Sequence, residues 1–177
     1  MSQHLMRVLS AGSSVQIRPA LLADAERICV IYNHYVTNTI VTFEEELVTA
    51  SEMRERMTAV VAKNLPWLVL ERDGAIAGFA YAAPWKTRIG YRFTVESSIY
   101  LAPEQVGQSL GALLYGALLE QLRALKVHCV IGGAALPNPA SIALHEKLGF
   151  TKIAHFRENG VKFGRWIDVA YWQRLFD

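Results

Sequence analysis

The sequence has few cysteines, and this scarcity excludes two kinds of small protein. Only two cysteines, Cys29 and Cys129, occur among 177 residues. They lie far apart, without a CxxC spacing or a nearby histidine cluster, so neither a disulfide framework nor a zinc site is supported. We predict that both are buried, reduced thiols and that the protein binds no metal.

Clustered charge and long apolar runs are also missing. The chain has 18 Lys and Arg against 16 Asp and Glu, a formal net charge of +2. Because the basic side chains are scattered among acids, no nucleic-acid partner is predicted. No apolar run is long enough to span a bilayer, and the first residues lack the apolar core of a secretory signal. We therefore predict a cytoplasmic protein with no membrane partner.

Apolar residues, in contrast, are abundant. They make up 52% of the chain, with 19% charged residues, which is enough for one hydrophobic core at this length. No internal repeat or low-complexity segment divides the sequence. Residues 1–14 show no periodicity and are predicted to form a flexible leader, so a single domain is expected over residues 15–177.

The spacing of apolar residues predicts the order strand, two helices, three strands, helix, strand, helix and two strands. Ser51 is a plausible N-cap for the second helix, and the third helix is predicted from Ser109. Asp73 and Gly74 predict a tight hairpin, because both tolerate the positive φ of such a turn. Residues 158–160 are predicted to join the last two strands. This order favours an α/β domain whose sheet is only partly parallel.

The segment APEQVGQSLG, residues 102–111, stands between a predicted strand and a predicted helix. A helix N-terminus in this position can bind phosphate through unpaired backbone N–H groups and the helix dipole. Gly107 and Gly111 allow close approach of an anion, whereas Ser109 takes up some room. No GK[ST] follows, which disfavours a Walker-type site. From spacing alone, an anion site and an ordinary exposed helix start remain open alternatives.

Several motifs in one order resemble a known family. TVESSIYL, VGQSLG, LPNPAS and HEKLGF are similar to segments of the GCN5-related N-acetyltransferases (GNAT), and with WKTR and GRWIDVAYWQ they resemble the phosphinothricin and methionine sulfoximine acetyltransferase branch. The likeness covers about residues 15–174. It implies the GNAT fold, a mixed, mostly antiparallel sheet of about six to seven strands flanked by about four helices. It also implies acetyl-CoA as donor, a small-molecule amine as acceptor and a homodimer.

The resemblance assigns a donor site along the strand and turn. In the family, the strand equivalent to Ile99, Tyr100 and Leu101 hydrogen-bonds the pantetheine arm. Asn138 and Lys147 are further candidates, although Asn is also a good helix N-cap and Lys in a last helical turn is commonly a solvated charge. The pyrophosphate is expected on the turn formed by Gly107, Gln108, Ser109, Leu110, Gly111 and Ala112.

Two residues of this turn depart from the family pattern. The family usually has Arg or Gln at the position of Val106 and Gly at the position of Ser109. These departures predict tighter packing or weaker CoA binding. They also motivate an alternative function, a non-catalytic acyl-CoA-binding domain, against which the presence of Glu96 and His145 speaks.

Acetyl transfer from a thioester needs a neutral amine, a polarised carbonyl and a proton for the leaving thiolate. Glu96 is the predicted general base, since a carboxylate within TVESSIYL would be costly to bury without a role; a solvent-facing strand Glu is the alternative. The resemblance implies that His145 assists, because imidazole carries protons near neutral pH; a packed structural histidine is the alternative. Gly149 stands where HExxH would need its second histidine, so no metal motif follows Glu146.

The substrate site is predicted more loosely from a basic loop and nearby side chains. In the loop Lys86, Thr87 and Arg88, the guanidinium of Arg88 suits a carboxylate or phosphinate, although a solvated loop is the alternative. The serines beside the proposed base, Ser97 and Ser98, are predicted substrate contacts. An apolar wall is predicted from aromatic residues that would otherwise be core: Phe43, Trp85, Tyr91 and Phe93.

The predicted function is direct transfer of acetyl from acetyl-CoA to the α-amino group of an amino-acid analogue such as phosphinothricin, methionine sulfoximine or methionine sulfone. No GxSxG motif or activated cysteine suggests a covalent enzyme intermediate. Polyamines, aminoglycosides and peptide N-termini are alternative acceptors. The basic WKTR loop disfavours polycations, because like charges oppose binding.

Overall fold

In the computed structural model, which describes residues 6–10 and 13–176, one sheet of eight strands packs with four α-helices. The strands are β1 (Met6–Ser10), β2 (Ser13–Pro19), β3 (Trp67–Arg72), β4 (Ala75–Pro84), β5 (Thr94–Leu101), β6 (Cys129–Ala135), β7 (Thr151–Lys162) and β8 (Arg165–Leu175). The helices are α1 (Ala25–Asn38), α2 (Ala50–Val61), α3 (Leu110–Ala124) and α4 (Pro139–Lys147).

The strand order is β1-β2-β3-β4-β5-β6-β8-β7, and within the described chain only β5 and β6 pair in parallel. The predicted mixed, mostly antiparallel sheet with four helices is confirmed. The additional strand is β1, which pairs with β2 and lies in the predicted leader. Residues 1–5, 11 and 12 of that leader lie outside the described residues, so a domain boundary at residue 14 stays a prediction.

The start of α2 differs from the prediction at Ser51. Thr49 is the N-cap, because its hydroxyl accepts from the backbone N–H of Glu52 at 3.2 Å. The Glu52 carboxylate in turn accepts from the backbone N–H of Thr49 at 2.7 Å. This reciprocal pair is a capping box, and its T-x-x-E signature was present in the sequence two residues before the predicted cap.

The connection between the last two strands was also predicted wrongly. Residues 158–160 lie inside β7, where the register with β8 shifts between Phe156 and Gly160. The strand continues to Lys162, and the turn is formed by Phe163 and Gly164, with φ of 52° and 69°. The Asn and Gly at 159 and 160 mark a bulge, since Gly within a strand commonly does so.

Other local predictions agree with the structure. Asp73 and Gly74 form the β3–β4 hairpin turn with φ of 52° and 81°. Cys29 and Cys129 are buried and free. Among the described helices, none has the length and apolar character to cross a membrane.

Helices cover both faces of the sheet, and each face has its own core. One core lies under α1 and α2 and the other under α3. Because side chains alternate along a strand, neighbouring residues of β5 face opposite cores: Tyr100 packs against the core under α1 and α2, and Ile99 and Leu101 pack against the core under α3. The first core includes Ile28, Met53, Met57, Trp67 and Phe79, and the second includes Leu114, Tyr115, Leu118, Val130 and Trp172.

Candidate active site

A gap opens in the sheet between its two parallel strands. Pairing of β5 with β6 runs from Thr94 opposite Cys129 to Ser97 opposite Gly132. Beyond that point β5 stays with β4 and β6 stays with β8. One backbone edge of β5 from Ser98 to Leu101 therefore lacks a strand partner within the described chain, and its polar groups are available to a ligand.

A cavity of about 280 Å³ occupies this gap. It combines predicted residues with others that carried no sequence signal. The predicted ones that line it are Glu96, Ser97, Ser98, Ile99, Tyr100, Leu101, Asn138 and His145. The residues that sequence reasoning missed include Tyr35, Val41, Ser141 and Leu144.

Tyr35 is the clearest residue missed by the sequence analysis. Its hydroxyl donates to the carbonyl of Leu101 at 2.6 Å, so α1 fixes the end of the strand edge that borders the cavity. Helical periodicity identified Tyr35 only as part of an apolar face. Nothing in its local sequence distinguishes such a contact from ordinary core packing.

Glu96 lies on the α1 and α2 side of the sheet. A Cβ added at Gly133 would lie 3.6 Å from its Oε1 and 3.0 Å from Cε1 of Tyr171, so the carboxylate sits beside an aromatic ring. Burial raises the pKa of Glu96, and the positive charge of Lys86 opposes that rise. A carboxylate of raised pKa at a cavity wall is suited to accept a proton.

His145, a residue of α4, lies on the other side of the sheet, the side that α3 covers. It is 3% exposed, and its ring centroid is 5.1 Å from that of Phe150 and 5.6 Å from that of Trp172. Its Nδ1 is 2.7 Å from the carbonyl of Ser141. Since a carbonyl only accepts, Nδ1 carries the proton, and burial lowers the pKa of the imidazole.

Glu96 and His145 line the same cavity, but they reach it from opposite faces of the sheet. A Cβ at Gly132 would lie 2.1 Å from Nε2 of His145, whereas a Cβ at Gly133 would approach Glu96. These adjacent glycines point to opposite faces of β6, so the sheet separates the two side chains. The geometry matches the alternative of a packed, hydrogen-bonded histidine.

The two serines beside Glu96 also face opposite ways. Ser97 is buried, and its hydroxyl pairs with the Tyr115 hydroxyl at 2.7 Å and donates to the carbonyl of Ile131 at 3.1 Å. Its predicted role as a substrate contact is therefore not supported, because its hydrogen bonds are made within the core. Ser98 lies opposite Tyr81 in register, on the same face as Glu96.

The glycine-containing turn presents an open helix start. Ser109 is the N-cap of α3 with φ 63° and ψ 2°, and no side chain caps the helix. The first N–H groups of α3 are thus available to an anion, as the pyrophosphate prediction requires. Gly107 has φ 82°, and a Cβ added there would meet nothing within 4 Å. This turn and the free edge of β5 fit the pyrophosphate and pantetheine parts of acetyl-CoA.

The backbone of Ser109 explains why a glycine suits its position. A left-handed conformation costs a residue with a Cβ roughly 1 kcal/mol. The side chain itself is exposed. We expect Ser109→Gly to raise the free energy of unfolding by about 1 kcal/mol in urea denaturation and to leave the acetyl-CoA Kd within about twofold. Ser109→Ala, which keeps the strain, is the matched control. Markedly tighter binding by Ser109→Gly would show instead that the hydroxyl obstructs the pyrophosphate.

The two candidates on α4 have different surroundings. Asn138 lines the cavity and also caps α4, since its Oδ1 accepts from the N–H of Ser141 at 3.0 Å. Its two predicted roles are therefore compatible. Lys147 is exposed in the last turn and does not line the cavity.

The basic loop lies at the other end of β5. A second, more open cavity of about 740 Å³ is lined by Lys86, Thr87 and Arg88, and also by Phe93. Arg88 therefore does not line the cavity that contains Glu96. Lys86 is the member of this loop whose charge acts on Glu96.

Aromatic residues form a continuous group beside Glu96. The Tyr171 ring lies 5.7 Å from that of Trp85 and 5.8 Å from that of Phe156. Trp85 was predicted as part of an apolar wall, whereas no role in the site was predicted for Tyr171. Phe43 lines neither cavity, and a Cβ at Gly160 would come within 2.4 Å of its ring.

The groove for an extended thioester ligand, the anion-binding turn and the cavity carboxylate define an acyl-CoA-dependent acetyltransferase. Residues 17–171 match a family model described as an acetyltransferase (GNAT) domain, and the chain belongs to this family. It is an acetyl-CoA-dependent N-acetyltransferase, as the motifs predicted. No group of three or more His, Cys, Asp or Glu in the described residues is placed to hold a metal ion.

Similar proteins carry more specific names. Phosphinothricin N-acetyltransferase of Streptomyces viridochromogenes is 41% identical over 163 residues, covering 92% of this chain and 88% of that protein. L-methionine sulfoximine/L-methionine sulfone acetyltransferase of Salmonella typhimurium is 37% identical, covering 91% and 94%. The crystal structure of a phosphinothricin acetyltransferase from Sinorhizobium meliloti in complex with acetyl-CoA has a TM-score of 0.89 and 37% identity, covering 92% and 88%.

Proposed function

We propose that this enzyme acetylates the α-amino group of a small amino acid or amino-acid analogue, of the phosphinothricin, methionine sulfoximine or methionine sulfone type. The observation that carries the proposal is the Glu96 carboxylate, whose pKa is raised by burial, at the wall of the cavity in the β5–β6 gap. The names of the similar enzymes support this class of acceptor.

Glu96 acts as the general base. An α-amino group titrates near about 8, so much of it is protonated at neutral pH, and Glu96 removes that proton directly or through a water. The donor supplies an acetyl thioester. Backbone N–H groups at the free edge of β5 polarise its carbonyl, and the neutral amine attacks it without a covalent enzyme intermediate. The new C–N bond replaces the C–S bond, and CoA leaves as a thiol after its sulfur takes up the second proton lost by the attacking nitrogen. The buried Cys29 and Cys129 do not line the cavity, which agrees with direct transfer.

Lys86 is the proposed partner of the substrate's acid group. Its Nζ lies 4.6 Å from the ring centroid of Trp85, which adjoins Tyr171. Its charge is felt at Glu96, so an anion bound by Lys86 would lie near the proposed base. Lys86 and the predicted clamp, Arg88, both line the second cavity, but Lys86 is the one whose charge acts on Glu96, so Arg88 is proposed to have the smaller role.

We expect Lys86→Met to raise KM for an amino-acid substrate about tenfold, since one charged hydrogen bond is worth about 1.5–3 kcal/mol. KM for the matching amide, which has no carboxylate, should change about twofold or less. Loss of the Lys86 charge raises the pKa of Glu96 further, so the acid limb of kcat/KM moves to higher pH. Steady-state assays with Arg88→Ala as the parallel variant check this. A carboxylate-dependent rise in KM in Arg88→Ala alone would restore Arg88 as the clamp.

The acceptor is tested by an acetylation screen with detection of free thiol. The panel contains phosphinothricin, methionine sulfoximine, methionine sulfone, a polyamine, an aminoglycoside and a short peptide. We expect kcat/KM to be at least about tenfold higher for the amino-acid analogues, because like charges oppose binding of polycations. Preference for the peptide would contradict the proposal.

A homodimer in the cytoplasm is also proposed. The β7–β8 hairpin exposes several large apolar side chains, which is typical of a surface that contacts another protein. Sedimentation equilibrium of the purified chain tests this, and a monomer at micromolar concentration would contradict it. The exposed side chains on this hairpin are Ile153, Phe156, Val161, Phe163 and Trp166, the last of them 65% exposed.

A further inference from the structure

Arg72, the last residue of β3, reaches the turn that precedes α3. Its Nη1 donates to Oε1 of Gln105 at 3.0 Å and to Oε1 of Gln108. Gln108 also donates through Nε2 to the carbonyl of Glu104 at 2.9 Å. One guanidinium from outside the segment thus contacts side chains just before and at the beginning of the turn that was assigned to the pyrophosphate.

The turn has no positive charge of its own. Residues 102–112 contain one charged residue, Glu104, and neither Lys nor Arg. Arg27 pairs with Glu104 at 3.1 Å, which engages that cation with an acid of the turn. The one basic residue of α3 is Arg123, which lies in the last turn, at the end of the helix away from the pyrophosphate turn. A pyrophosphate bound here would therefore receive its nearby positive charge from Arg72.

The Arg72 guanidinium retains donors for a ligand. Its side chain is 29% exposed, and its Nη2 has no hydrogen-bond partner among the described residues. The Asp73 carboxylate lies 3.9 Å from Nε and is itself 60% exposed, so it neutralises the charge only weakly. A half-buried guanidinium acts on a phosphate more strongly than a fully solvated one, because the local dielectric constant is lower.

We propose that Arg72 positions the pyrophosphate turn and supplies its positive charge. It holds Gln105 and Gln108 so that the N–H groups at the start of α3 face outward, and it compensates for Val106, where the turn has no basic side chain. The role of Arg72 concerns the acetyl-CoA donor and is independent of which amine accepts the acetyl group.

The experiment compares acetyl-CoA with S-acetylpantetheine, which has the same thioester arm but no phosphate. Isothermal titration gives the acetyl-CoA Kd, and kcat/KM is measured with each donor for wild type, Arg72→Gln and Arg72→Lys. Arg123→Gln is the matched control, because it removes the same charge at the far end of α3, about 20 Å away. Thermal unfolding of each protein without ligand reports on the fold.

Arg72→Gln is expected to raise the acetyl-CoA Kd about tenfold at low salt and less at high salt, since ionic screening weakens the contribution of the charge. KM for acetyl-CoA rises while kcat is unchanged. With S-acetylpantetheine as donor, kcat/KM of the variant equals that of wild type. Arg72→Lys retains most of the affinity, and Arg123→Gln retains all of it.

Several results would overturn the proposal. Equal losses with both donors in Arg72→Gln would show that Arg72 only supports the cavity. An unchanged Kd would show that the turn binds pyrophosphate without this cation. A loss in Arg72→Lys as large as in Arg72→Gln would remove the role of charge. If Arg72→Gln fails to fold, Arg72→Met, which keeps the aliphatic part of the side chain without the charge, takes its place, and its loss must be confined to acetyl-CoA.

Discussion

Glu96→Gln is expected to lower kcat/KM by at least about a hundredfold, because a positioned general base contributes about 10² to 10⁴ in rate. Glutamine keeps the size of the side chain but cannot accept the amine proton. As the proposed base, Glu96 would set the acid limb of kcat/KM, and this limb should disappear in the variant. Steady-state rates across pH with a good amino-acid substrate check both effects. An unchanged rate and profile would show that Glu96 is not the base.

The same change should stabilise the protein at neutral pH. Burial raises the pKa of Glu96 above its ordinary value of 4.5, so the folded state favours the neutral acid. That contribution to stability is complete below the ordinary pKa and is lost as pH rises through the raised pKa. Glutamine does not ionise, and the advantage of the variant in unfolding free energy therefore grows with pH over this range.

Urea denaturation at a series of pH values measures this advantage. Glu55→Gln, at an exposed position on α2, is the control for loss of a carboxylate without burial. Reduced activity together with raised stability separates a catalytic role from a structural one, since misfolding would lower both. A variant of Glu96 that is less stable at neutral pH would contradict the account of its pKa.

Gly132→Ala is expected to lower the free energy of unfolding by about 2 to 4 kcal/mol, at or above the usual cost of overpacking a core. The new Cβ would lie 2.1 Å from Nε2 of His145. The imidazole has little room to move, because Phe150 and Trp172 pack against it and Ser141 holds its Nδ1. Gly133→Ala, in the same strand, has its closest contact at 3.0 Å and should cost less.

A double-mutant cycle with His145→Ala identifies the cause of that loss. Removal of the imidazole makes room for the methyl group, so the double variant should be more stable than the sum of the single effects predicts. Additive losses would show that the methyl group meets the strand rather than His145. His145→Ala should also retain the acid limb of kcat/KM, because His145 lies across the sheet from Glu96. Loss of that limb would restore His145 as a proton carrier.

Local sequence patterns predicted the structure correctly where the backbone conformation depends only on neighbouring residues. The Asp73–Gly74 turn was predicted because few residues adopt positive φ at both central positions of a hairpin. The turn at residues 158–160 was placed wrongly, because Asn and Gly suit a bulge as well as a turn. Only the pairing of β7 with β8 distinguishes these two, and pairing depends on residues distant in sequence.

The sequence by itself determined the family, the donor and the candidate base, since these depend on motifs that lie within short segments. Only the tertiary structure decided which predicted residues share a face. Strand alternation and the splay of β5 from β6 place Glu96 in one layer and His145 and Ser97 in the other. The contact of Arg72 with Gln105 and Gln108 spans more than 30 positions in the chain, so no local pattern specifies it.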